Sequence, residues 1–236
     1  AVTRMSEVLA ITGRVLPVTN ENVQLLADFD DGVTVTGESQ IAEYKKDLTR
    51  RIVRAYLSPE HPAALPAALD AIRKADIILL GPGSLYTSVI PNLLVDGVAE
   101  AVAQSNALRI YIANIMTQEG ETEGYTLSDH LKALFAHSKP GLVDLCLANS
   151  TPISQDLQNR YRVENAAPIL IDRAAVEALG VEPAECLVIE DSPLGIEAGK
   201  RSGARVLALR PHEGVNLDQS RADAVIDNLT DILAAL

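Results

Sequence analysis

The stretch Ala75-Asp-Ile-Ile-Leu-Leu-Gly-Pro-Gly-Ser-Leu-Tyr-Thr-Ser88 decides the fold. Its first half is a short continuous apolar run, the pattern of a parallel strand buried on both faces. Its second half, Gly81 to Ser88, is a Gly-rich turn with hydroxyl residues, placed between the strand's carboxyl end and the next helical pattern. Such turns offer backbone N–H groups and Ser/Thr donors, and α/β proteins use them to hold anionic oxygens. The same residues also suit a plain strand-to-helix turn, for which glycine supplies the dihedrals.

Working outward, helix and strand patterns alternate. Ala63 to Lys74 has a helical apolar face, Asn92 to Gln104 is amphipathic, and Leu108-Arg-Ile-Tyr-Ile-Ala113 is a second buried strand. Ser128 to His137 follows as a helix with Ser128 as its N-cap, and Leu142 to Ala148 and Pro168 to Ile171 are strands. Further on, Cys186 to Ile189, Arg205 to Leu209 and Ala224 to Ile226 are strands, Pro193 to Ser202 is a helix, and Asn228 to Leu236 is a terminal helix. Alternation of this kind implies an α/β, Rossmann-like, doubly wound and mostly parallel sheet. Upstream, Val23 to Phe29 and Val33 to Gly37 flank Asp30-Asp31-Gly32, a β-hairpin insertion near the N-terminus that Arg51 to Leu57 can join. Arg4 to Ile11 reads as the end of a helix closed by Gly13. The tail strands, being apolar, are expected to complete the same sheet, and Glu182-Pro-Ala-Glu185 is the best candidate seam.

Composition narrows the function. Lys and Arg number 20 against 32 Asp and Glu, a formal net charge of -12, in a chain of 236 residues. Nucleic-acid backbones and anionic membranes are therefore poor partners. Aromatics are only 3%, which disfavours base-stacking platforms. Cys146 and Cys186 read as small hydrophobes on buried strands, and a reducing, cytoplasmic setting follows. His61, His130, His137 and His212 are scattered without metal-ligand spacing.

The ligand-binding candidates are Gly81, Gly83, Ser84, Tyr86, Thr87 and Ser88 of the first loop, with Asn114, Thr117 and Gln118 of the long polar segment after the second strand. Loops at strand carboxyl ends are where open α/β sheets place ligands. Glu119, Glu121 and Glu123 in that segment read as an acidic surface, and Asp172-Arg173 and Arg160-Tyr-Arg162 as surface features.

Arg73 to Val95 resembles the signature of the gluconeogenesis-factor (YvcK-type) family, which is related to 2-phospho-L-lactate transferase. Ile115-Met-Thr-Gln-Glu-Gly-Glu-Thr-Glu-Gly-Tyr125 with Asp129-His130, and Gly13-Arg-Val-Leu-Pro-Val-Thr19, are similar to the same family in the same order. The resemblance covers residues 1–172. It implies a regulatory protein that binds a nucleotide sugar or another phosphorylated small molecule, with a homo-oligomer as one option. It also implies an opening strand, a Gly-rich phosphate loop and an Asp-rich segment, which do not occur in this sequence.

Cys186-Leu-Val-Ile-Glu-Asp-Ser-Pro-Leu-Gly-Ile-Glu-Ala-Gly-Lys-Arg-Ser-Gly-Ala204 resembles the fourth motif of haloacid-dehalogenase-type phosphatases and β-phosphoglucomutases. That likeness, over residues 173–236, implies Mg²⁺ held by Glu190 and Asp191. The family's nucleophile motif has one look-alike, Asp28-Phe-Asp-Asp-Gly32, off in spacing and inside the expected hairpin. On these likenesses the chain reads as a nucleotide-sugar-binding regulatory protein, or a chimeric form of it joining residues 1–172 and 173–236, without phosphatase turnover; a Mg²⁺-dependent phosphate-transfer enzyme and a structural chimera with no retained activity are the competing readings.

Overall fold

The computed structural model describes residues 13–46, 50–149, 153, 155–163, 165–184, 187–190, 192–201, 205–211, 216–228 and 231–232. The hairpin forms as the Asp-Gly turn dictates: β1 (Gln24–Phe29) pairs antiparallel with β2 (Thr34–Thr36), in register Ala27 to Val35. After α1 (Glu38–Lys46), β3 (Ile52–Ser58) pairs antiparallel along the other side of β1. Side chains on a strand alternate between faces. Leu25, Ala27 and Phe29 are accordingly buried, and Asp28 points outward to accept hydrogen bonds from Thr34 Oγ1 and Tyr56 OH. The Asp28-Phe-Asp-Asp-Gly32 look-alike is thus a hairpin strand and its turn.

The parallel part starts with α2 (Pro66–Arg73) and β4 (Ile77–Leu80). A π-helical turn, Leu85–Val89, runs into α3 (Ile90–Leu93), and a second helix, α4 (Val98–Gln104), follows. The single helix expected over 92–104 is therefore split by a turn at Asp96 and Gly97. Next come β5 (Leu108–Ile112), α5 (Leu127–Ala136), β6 (Leu145–Leu147), α6 (Gln155–Arg162), α7 (Arg173–Glu177) and β7 (Glu182–Ala184). All four strands are parallel and lie in the order β4-β5-β6-β7, confirming the Rossmann-like α/β class. One apolar core joins this unit to the hairpin sheet: Leu127, Leu131 and Leu134 of α5 share a buried cluster with Tyr111 and Cys146 of the parallel sheet and with Phe29, Ala55 and Leu57 of the hairpin sheet.

Four expectations need correction. The N-cap of α5 is Thr126, not Ser128: Asp129 N–H donates to Thr126 Oγ1 and Thr126 N–H donates to Asp129 Oδ2, a complete capping box. Residues 168–171 form no strand; Pro168 and Leu170 make single bridges to Met116 and Thr126. The supposed seam, Glu182–Ala184, is strand β7 beside β6. Pro183 has no N–H to give, which suits a strand with a neighbour on one side only.

The tail is the fourth. β8 (Leu187–Glu190), α8 (Pro193–Arg201), β9 (Arg205–Leu209) and β10 (Ala224–Ile226) form a parallel sheet of their own, ordered β10-β9-β8. Among the described residues these strands make no ladder with β4–β7. Central β9 buries Val206 and Ala208 against Ile196 on one face, and Leu207 against Ile226 and Ile232 on the other. The Arg4–Ile11 helix end lies outside the described residues, as does most of the expected terminal helix.

Candidate functional site

Two loops leave the carboxyl ends of β4 and β5 and interlock. At Gly81, φ is +92°, and a Cβ there would stand 2.7 Å from the carbonyl oxygen of Ile112. Only glycine lets the first loop cross this close over the end of β5. Asn114 then clamps the loop from below: Gly83 N–H donates to its Oδ1 at 3.3 Å, and its Nδ2 donates to Gly83 O at 2.9 Å. Ser84 Oγ donates to Gln118 Oε1 at 2.8 Å. Tyr86 N–H donates to Glu121 Oε2 at 3.1 Å, and Thr87 Oγ1 to Glu121 Oε1 at 2.7 Å.

Six of the candidates, Gly83, Ser84, Tyr86, Thr87, Asn114 and Gln118, are therefore brought together, but they bond chiefly to one another and to Glu121. Gly81 and Ser88 sit elsewhere, on a largely apolar groove beside Leu79 and Asn92. Thr117 is buried and stitched into the backbone: its N–H donates to Ala167 O, and Ala167 N–H donates to its Oγ1.

Glu121 is the largest departure from the sequence reading. Expected on an acidic surface, it is 1% exposed. Besides Tyr86 and Thr87, Gln118 Nε2 donates to it at 3.3 Å. A buried carboxyl is tolerable when donors surround it in this way. Its loop reaches the core because Gly120 lies against α1. With φ at +81°, a Cβ on Gly120 would stand 2.2 Å from Ala42 O.

An aromatic cluster backs the loops. Tyr86 OH and Tyr125 OH share a hydrogen bond of 2.9 Å, and the two rings meet edge to face. Burial pushes both phenols above the usual tyrosine range. His130, expected as a plain helix residue, is fully buried against Tyr125, with Nδ1 2.8 Å from Thr126 O. His137 places Nδ1 2.7 Å from Ala133 O and accepts Ala55 N–H on Nε2 at 2.9 Å, tying α5 to β3. Ser128 N–H and Oγ both donate to Asp172, so Asp172 is a structural partner of α5. Cys146 is buried as expected, which pushes its thiol up to about 12.

An open polar pocket of ≈ 420 Å³ lies at the carboxyl end of β5. Asn114, Met116, Thr117, Gln118 and Glu119 of the loop after β5 line it together with Tyr161 and Ala166. Tyr161 is 39% exposed, so its ring is available to the pocket. Sequence reasoning placed it among surface features. The available signal was a lone aromatic on a polar helix after the third parallel strand.

The proposed metal acids cannot be placed: the side chain of Glu190, at the end of β8, and all of Asp191 lie outside the described residues, as do His212 and Cys186. Among the described residues, no group of three or more His, Cys, Asp or Glu could hold a metal. No described helix is long and apolar enough to cross a membrane.

Comparison with known proteins agrees with the fold. The family described as 2-phospho-L-lactate transferase CofD matches residues 1–188, past the boundary expected at 172 and into β8. The gluconeogenesis factor of Halalkalibacterium halodurans is 48% identical over 180 residues, 76% of this chain and 55% of that protein. The gluconeogenesis factor of Bacillus subtilis is 47% identical over 182 residues, 77% of this chain and 56% of that protein. The solved structure of a UPF0052 family member from Bacillus halodurans superposes with a TM-score of 0.73 at 47% identity, covering 77% of this chain and 57% of that one. The chain thus spans a little over half the length of these relatives. It belongs to the CofD family and is similar within it to the gluconeogenesis factors.

Proposed function

We propose that this chain is a gluconeogenesis-factor-like regulatory protein that binds a nucleotide sugar. The observation that carries this reading is the pocket at the carboxyl end of β5, lined by two amide side chains, Asn114 and Gln118, and an aromatic, Tyr161. Amides supply both donors and acceptors and suit sugar hydroxyls or a base edge. A tyrosine face suits a planar or hydrophobic ring face. The position fits the general rule that open α/β sheets bind ligands outside strand carboxyl ends. None of its seven lining residues carries a positive charge and Glu119 carries a negative one, so the pocket suits the uncharged ring of such a ligand. The phosphates would lie outside these walls.

A thermal-shift panel of UDP-sugars, sugar phosphates and Mg²⁺ tests the reading. A ligand at about 100 times its Kd adds roughly 2.7 kcal/mol by mass action. For a chain of this size that is about 5–10 °C. A UDP-sugar is expected to give the largest shift. No shift from any UDP-sugar would refute the proposal, and a shift with Mg²⁺ and sugar phosphate alone would favour the phosphate-transfer reading.

A further inference from the structure

We propose that Glu121 is the positioning residue of this pocket: it fixes the amide of Gln118 and so decides which hydrogen-bonding edge of a nucleobase the pocket selects. The inference rests on the ligand class proposed above.

Gln118 lines the pocket, and its amide is held at both ends. Ser84 Oγ meets Oε1 at 2.8 Å, and Glu121 Oε1 meets Nε2 at 3.3 Å. The serine hydroxyl does not choose between orientations, because it can donate or accept. A carboxylate only accepts, so Gln118 must turn its NH₂ toward Glu121. The carboxylate is itself locked, since Tyr86 N–H, which only donates, meets Oε2 and Thr87 Oγ1 meets Oε1. One N–H and one carbonyl lone pair of Gln118 remain, in a set order. Uracil presents N–H beside C=O, and cytosine presents a bare ring nitrogen beside NH₂. For a base held in one pose, with its 3- and 4-positions toward Gln118, a fixed amide therefore accepts one and rejects the other.

Glu121→Gln tests this with little change in volume. Tyr86 N–H requires the new amide's oxygen at the Oε2 position. Its NH₂ then faces Gln118 and forces that amide to flip. Two measurements follow. In the ligand-free protein, ¹⁵N-resolved solvent exchange of the Gln118 side-chain NH₂ should be slow in the parent and at least tenfold faster in Glu121→Gln. In binding, the parent should separate UDP-glucose from CDP-glucose by about 5- to 150-fold, the worth of one good bidentate edge. Glu121→Gln should lower that ratio at least tenfold or invert it, whereas a merely structural loss would weaken both ligands alike. Gln118→Met removes the amide at similar volume and should abolish the discrimination, which keeps the test open if Glu121→Gln does not fold. Unchanged Gln118 exchange in Glu121→Gln, or a parent that binds both nucleotides equally, overturns the proposal. A parent that binds neither overturns the ligand class, and the exchange measurement still judges the positioning role.

Discussion

Acid should loosen this fold well above the carboxylate range, and the cause is a pair of histidines on α5. Burial holds both His130 and His137 below the usual imidazole range. It outweighs the Thr126 carbonyl and Asp129 at His130, and the Ala133 carbonyl at His137, where the nearby Arg54 pushes the same way as burial. Geometry agrees, because His137 Nε2 accepts Ala55 N–H and a proton placed there would set donor against donor. The native state therefore keeps these rings neutral while the unfolded chain protonates them near the ordinary imidazole value of 6.5. The unfolded state binds more protons, so stability is full above about pH 6.5 and falls as the pH drops below it. Each ring contributes at most about 1.4 kcal/mol per pH unit, and the two together at most about 2.7. The Asp carboxyls with lowered values, Asp31, Asp129, Asp144, Asp172, Asp218 and Asp223, start from 3.8 and stay out of this window. Urea unfolding at pH 7.5, 6.5, 6.0 and 5.5 measures the slope, and His137→Gln should reduce it by about half. A parent whose stability is flat from pH 7 to 5.5, or a variant with an unchanged slope, would refute the reasoning.

Three further outcomes are expected from the packing. Leu134→Ala, at a site that is 0% exposed between the two sheets, should cost about 2–5 kcal/mol in urea unfolding through the cavity it leaves. Thr126→Ala should cost about 0.5–2 kcal/mol by removing the capping box of α5, whereas Ser128→Gly should leave that cap's two hydrogen bonds in place, as judged by amide exchange at Asp129. Gly120→Ala should destabilise by more than about 1 kcal/mol, because it places a methyl 2.2 Å from Ala42 O at positive φ; calorimetric melting of the variant checks this.

Much of the architecture was legible because it rests on local signals. Continuous apolar runs marked β4 and β5, the Asp-Gly turn marked the β1–β2 hairpin, and strand ends marked the two loops. Caps were less legible, since Thr126 and Ser128 are both good N-cap residues and only the capping box with Asp129 separates them. Burial of Glu121 was hidden because a Glu-rich segment looks the same whether its charges face water or a ring of donors. The inward turn of Glu121 goes with Gly120 packed against α1, a contact across 78 residues of chain. The same limit applied to Tyr161, whose place in the pocket depends on α6 returning over the end of β5. The independent tail sheet was missed because apolar strands specify that they need neighbours but not which ones.

The central claim is that the pocket beneath Tyr161 takes a nucleotide sugar. Isothermal titration of UDP-N-acetylglucosamine into the parent and into Tyr161→Ala tests it most directly. The account predicts saturable one-site binding by the parent. It predicts an affinity lower by about 5- to 150-fold in the variant, the roughly 1–3 kcal/mol that one stacked ring contributes, with the melting temperature unchanged. A parent that gives no heat of binding, or a variant that binds as tightly as the parent, would contradict it.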